Sequence, residues 1–178
     1  MNYFEVFGLP KRLNLDLSAL ERTFHELSRK YHPDYFTTAP AEERQRALQM
    51  TATLNDAYRT LRHPVRRVEH LLQLEGFKPD GSKVPKSFLM EIFDINEQLE
   101  EAKAGSATSE QIVALRREIE KRAEGFESQL QAAAVEWDSL SASGAPDATL
   151  KEHLSRLTEV LSESSYIRNL QRELEETS

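Results

Sequence analysis

Residues 17–64 read LSALERTFHELSRKYHPDYFTTAPAEERQRALQMTATLNDAYRTLRHP, with Tyr31-His32-Pro33-Asp34 lying between two stretches that can each form an amphipathic helix. Pro33 has no N–H and disfavours the α conformation at His32, so a helix arriving from the N-terminal side stops there. Leu20, Phe24, Leu27 and Tyr31 fall at i, i+4, i+7 and i+11, which predicts a helix over about 17–31. Asp16 or Ser18 can cap it, and Ser18 with Glu21 has capping-box spacing. Beyond the turn, Pro40 followed by Glu42 and Glu43 marks a helix start. Leu48, Ala52 and Asn55, with Leu54, Tyr58 and Leu61, continue that helix to His63-Pro64. The two helices are expected to pack antiparallel with His32 to Asp34 at the tip. A connection of this length turns more easily with Gly, Asn or Ser, so a histidine and a carboxylate there suggest a working end. The other face of the first helix carries Arg22, Arg29 and Lys30, although a charged outer face is ordinary on a surface helix.

Outward from this hairpin, residues 3–7 suggest one short helix ended by Gly8 and Pro10. Val65, Val68, Leu71, Leu72 and Leu74 suggest another that Gly76 can end. Residues 76–85, GFKPDGSKVP, hold two Pro and two Gly among polar residues. They predict a linker over 77–84 between a first domain, 1–76, and a second, 85–178. The second domain reads as three antiparallel helices, about 85–103, 108–141 and 147–176, capped by Thr108 with Gln111 and by Asp147. No strand pattern occurs, so the expected fold class is all-α.

The 178 residues carry a formal net charge of −7, and it is uneven. Residues 1–75 hold 11 Lys/Arg against 10 Asp/Glu, whereas 76–178 hold 12 against 20. A general nucleic-acid binder needs a basic surface to displace counterions, so nucleic acid is not an expected partner. With no Cys, disulfides, thiolate metal sites and Cys nucleophiles are excluded. No run of about 18 apolar residues suggests a membrane span, and no basic-then-apolar leader suggests a signal peptide. The five His lack metal-ligand spacing, and six Gly form no phosphate-cradling loop. Neither enzymatic activity, a metal nor a cofactor is expected.

The first helix pattern of the second half presents a different kind of surface. With Phe88 at zero and about 100° per residue, Phe88, Ile92, Ile95, Leu99 and Ala102 form the core face. Leu89, Met90 and Phe93 lie opposite, fringed by Asp94, Glu97, Glu100 and Glu101. Large apolar residues among acids on a wet face suggest a binding patch, unless another part of the chain covers them.

His32-Pro33-Asp34 between antiparallel helices, after the basic face of Arg22, Arg29 and Lys30, resembles the J domain of co-chaperones that act on DnaK-type heat-shock chaperones. The match extends through Asn2-Tyr3-Phe4, Phe7-Gly8-Leu9-Pro10, Leu54-Asn55-Asp56-Ala57-Tyr58, Leu61-Arg62-His63-Pro64 and Arg67 to Gly76. These segments resemble the HscB family, the J-proteins dedicated to iron–sulfur cluster assembly. The resemblance implies that His32, Pro33, Asp34, Arg22, Arg29 and Lys30 contact an HscA-type ATP-hydrolysing chaperone and stimulate its ATPase. It implies equally that Leu89, Met90, Phe93, Asp94, Glu97 and Glu101, with Tyr166 from the last helix, bind the IscU-type scaffold. Tyr35 stands where this family often carries Lys, and His70 where it usually carries Tyr. The Cys-rich zinc element and leader frequent in eukaryotic relatives are absent from the sequence, so the bacterial, cytoplasmic form is expected. The alternatives are a J-domain co-chaperone with another client, or a helical adaptor in which His-Pro-Asp is accidental.

Overall fold

The computed structural model describes residues 1–77 and 86–176, and among these every regular element is helical. The chain divides into two compact units, Met1–Glu75 and Gly76–Ser178. Apart from Phe77, the expected linker lies outside the described residues.

In the N-terminal unit, α1 spans Tyr3–Val6, α2 Leu17–Lys30, α3 Ala41–Arg62 and α4 Pro64–Leu74, with a 3-10 turn at Pro33–Phe36. Asp16, not Ser18, caps α2, accepting the Ala19 N–H at 3.0 Å. An aspartate there also places negative charge at the positive end of the helix dipole. Phe4, Phe7, Leu20, Leu54, Ala57 and Leu61 form the core, packed by Phe24, Leu27, Tyr31 and Tyr58. Phe24 stacks on Tyr58 at 4.2 Å, locking α2 against α3. The expected stripe on α3 is partly corrected. Leu48 is exposed, as is Ala52, whereas Ala47 is buried. The faces differ by one residue, about 100°, because α1 and α2 meet α3 along the row Ala47, Leu54, Ala57, Leu61.

His63 is extended, with φ −95° and ψ 119°, and Pro64 opens α4. Buried Arg67 donates from its guanidinium to the carbonyls of Leu61 and Leu13, so its charge is held by backbone acceptors. Gly76, at φ 78°, follows the end of α4 in the left-handed region that favours glycine.

The C-terminal unit comprises α5 (Lys86–Lys103), α6 (Ser109–Ala142) and α7 (Asp147–Glu176). Thr108 and Gln111 form the expected reciprocal capping box. Asp147 does not cap α7 from outside. It is the first residue of the helix, where its charge still suits the dipole. Phe88, Ile92, Ile95 and Leu99 of α5 pack with Leu115 and Ile119 of α6 and with Ile167, Leu170 and Leu174 of α7. At about 1.5 Å per residue, α5 is roughly half as long as α6, so it can cover only part of the α6–α7 pair. Arg122 of α6 bonds Glu91 of α5 at 2.5 Å, and Lys103 bonds Glu173 of α7 at 2.9 Å.

Candidate functional site

The α2–α3 tip is built by backbone chemistry. α2 ends at Lys30, and the Tyr31 carbonyl left at its end accepts the Thr51 hydroxyl of α3 at 3.0 Å. This bond ties the turn to the opposite helix. His32 is extended, with φ −62° and ψ 129°, as a residue before proline prefers. Its Nδ1 accepts the Asp34 N–H at 3.3 Å, so the ring caps the 3-10 turn and the proton of the neutral imidazole sits on Nε2. Asp34 Oδ2 lies 3.5 Å from the same Nδ1. The two side chains therefore share one apex, and that of Asp34 is 83% exposed.

Arg22, Arg29 and Lys30 are all exposed on α2. Lys30 Nζ stands 5.5 Å from the Tyr31 ring centre, within the range of a cation–π contact. His25 and Ser28, which the sequence reading did not single out, line a recess with Arg29, His32, Asp34 and Tyr35. Part of the signal was present: His25 and Arg29 are spaced i and i+4, hence on one face of α2, whereas His32 lies beyond the end of that helix. His70, also noted only as a departure, has a plain role. Its Nε2 accepts the Tyr3 N–H at 3.0 Å and its ring stacks on Tyr3 at 4.4 Å. Burial, then the positive N-terminus, lowers its pKa below the usual histidine value.

On α5, Leu89 is 43% exposed, Met90 72% and Phe93 69%, while Ile92, Ile95 and Leu99 one face away are buried. Asp94, Glu97 and Glu101 are exposed on the same outer side. Tyr166 is placed differently. It is half-buried on α7 and stands edge-on to Phe88 with ring centres 6.2 Å apart, so it touches the core edge of α5. One turn before it, Glu163 is half-buried. Burial first, then the charges of Glu159 and Glu91, push its carboxyl above the usual range.

Residues 84–175 match the family model described as the HscB C-terminal oligomerisation domain. A co-chaperone protein HscB homolog of Vibrio cholerae is 39% identical over 142 residues, covering 77% of this chain and 83% of the relative.

The chain belongs to the HscB family of co-chaperones.

An HscB homolog of Vibrio vulnificus is 40% identical over 124 residues, covering 68% of this chain and 72% of its own length. The solved chaperone HscB from Vibrio cholerae is similar in structure, with TM-score 0.70 and 32% identity over 99% of this chain and 96% of that one. Human co-chaperone HscB shares the fold, with TM-score 0.73 at 21% identity over 98% of this chain and 81% of that one. The all-α architecture is thus that of HscB: an N-terminal J domain and a C-terminal helical domain.

Proposed function

We propose that this HscB-family co-chaperone serves iron–sulfur cluster assembly by joining two partners in the bacterial cytoplasm. Its J domain stimulates ATP hydrolysis by an HscA-type chaperone through His32, Pro33, Asp34 and the basic face of Arg22, Arg29 and Lys30. Its helical domain binds an IscU-type scaffold through Leu89, Met90, Phe93, Asp94, Glu97 and Glu101, with Tyr166 at the margin. It forms no covalent intermediate and holds no cofactor; it acts by contact. Holding the scaffold on the molecule that engages the chaperone raises the effective concentration of one near the other.

The observation that carries this reading is the shared, exposed apex of His32 and Asp34, braced by the Asp34 N–H and by Thr51. A carboxylate presented on a stiff turn offers a charge-assisted hydrogen bond without first losing conformational entropy. The test is single-turnover ATP hydrolysis by the cognate chaperone with the full chain, comparing Asp34→Asn and His32→Gln with the unaltered protein. Both folded variants are expected to lose most of the stimulation. Undiminished stimulation by either would remove the J-domain role from this turn.

A further inference from the structure

At the Tyr31 carbonyl the hairpin tip runs out of donors of its own. Were α2 to continue, this oxygen would accept an N–H from Asp34 or Tyr35. Pro33 has no N–H to offer, that of Asp34 goes to His32 Nδ1 at 3.3 Å, and that of Tyr35 goes to the His32 carbonyl at 3.0 Å. The donor that the Tyr31 carbonyl does receive comes from outside the turn. It is the hydroxyl of Thr51, 20 residues along the chain on α3, at 3.0 Å.

Two acceptors compete for that hydroxyl. It also lies 2.9 Å from the Ala47 carbonyl, one turn back along its own helix, and it has a single proton for both. Their needs are unequal. Ala47 and Thr51 both lie inside α3, where the Ala47 carbonyl is in line for the backbone N–H of Thr51. The Tyr31 carbonyl has no helical N–H in line for it. Tyr31 and Thr51 are both half-buried, which limits how far water can replace the bond between them.

We infer that Thr51 is a positioning residue of the J-domain tip: its hydroxyl proton, given to the Tyr31 carbonyl, sets the register of the 3-10 turn on α3. The role needs no contact between Thr51 and a partner. With the proton on the Ala47 carbonyl, the turn is held by its own short-range bonds alone. With the proton on the Tyr31 carbonyl, the residue before His32 is fixed to the opposite helix, and so is the direction in which the turn points. A turn registered before the encounter has less freedom to lose on binding, so the effect falls on affinity. The inference rests on the J-domain function proposed above.

The experiment titrates Thr51→Val, Thr51→Ser, Thr51→Ala and Asp34→Asn, each in the full chain, into single-turnover ATP hydrolysis by the cognate HscA-type chaperone. Thr51→Val keeps the branched shape without the hydroxyl, and is expected to raise the half-saturating concentration about fivefold at an unchanged plateau. Thr51→Ser keeps the hydroxyl and is expected to stay within about twofold of the unaltered protein. Thr51→Ser and Thr51→Ala differ by the hydroxyl alone, so that pair carries the same comparison should Thr51→Val fail to fold. If the variants without a hydroxyl saturate as the unaltered protein does while Asp34→Asn fails to stimulate, the positioning role is refuted and the J-domain role stands. Thr51→Ser weakening as far as Thr51→Val and Thr51→Ala would trace the effect to the lost methyl or to packing, and also refutes it. A lowered plateau at unchanged half-saturation refutes it as well. Full stimulation by Asp34→Asn overturns the J-domain role and this inference with it.

Discussion

The J domain and the helical domain expose their proposed contact groups by opposite means. At the J-domain tip, polar side chains stand where water welcomes them, and what is unusual is their rigidity: a proline, a ring-capped 3-10 turn and a bond from Thr51 hold them. On α5 the side chains are ordinary for a helix in conformation and unusual in exposure. Phe93 is 69% exposed while Ile95, two residues later, is 1% exposed. The first surface presents charge fixed on a stiff turn beside the exposed Tyr35 ring, suited to orienting a partner. The second presents apolar area inside an acidic fringe, suited to affinity.

Separating the two faces of α5 is the strongest way to break that comparison. Leu99→Ala, at a fully buried position, is expected to cost about 2–5 kcal/mol of stability in denaturant unfolding. Leu89→Ala combined with Phe93→Ala should leave stability within about 0.5 kcal/mol, since both residues are exposed. By calorimetry the same double variant should weaken scaffold binding by about tenfold or more, while ATPase stimulation without scaffold is unchanged. Unaltered scaffold affinity would remove the binding role from this face.

A smaller effect sharpens the contrast in rigidity. Gly125 lies inside α6, and a Cβ there would meet nothing within 4 Å. Gly125→Ala is therefore expected to stabilise the helical domain by about 0.5–1 kcal/mol, read as a higher thermal midpoint. A lower midpoint would mean that the glycine serves packing after all.

The smallest effect is confined to the J domain. The pKa of His70 is lowered in the folded state, so below its unfolded value of about 6.5 the unfolded chain binds more protons. Its contribution is present above that pH and is lost as pH falls through it. The urea midpoint should drop between pH 7.5 and 5.5 more in the unaltered protein than in His70→Gln, which keeps an acceptor for the Tyr3 N–H without titrating. Equal slopes would show that His70 does not set the acid sensitivity.

Much of this was legible because it is local. The 3.6-residue period placed the buried and exposed faces of α5 correctly, Thr108 and Gln111 announced the start of α6, and Pro33 ended α2. Where two local solutions compete, pattern alone fails. Asp16 and Ser18 were equally plausible caps, and Leu48 looked like core beside the smaller Ala47. Tyr166 illustrates a third case: an aromatic on α7 can lie inside or outside, and here it sits half-buried against Phe88.

The amino-acid sequence alone determined the helices, the Thr108–Gln111 cap of α6, the hairpin tip and the doubly sided character of α5, because periodicity, proline and capping chemistry act over a few residues. Only the tertiary structure decided which row of α3 is core, that His70 receives the Tyr3 N–H, and that Tyr35 and His25 line one recess. Those outcomes depend on which distant surfaces meet, and neither spacing nor residue type along one segment encodes that meeting.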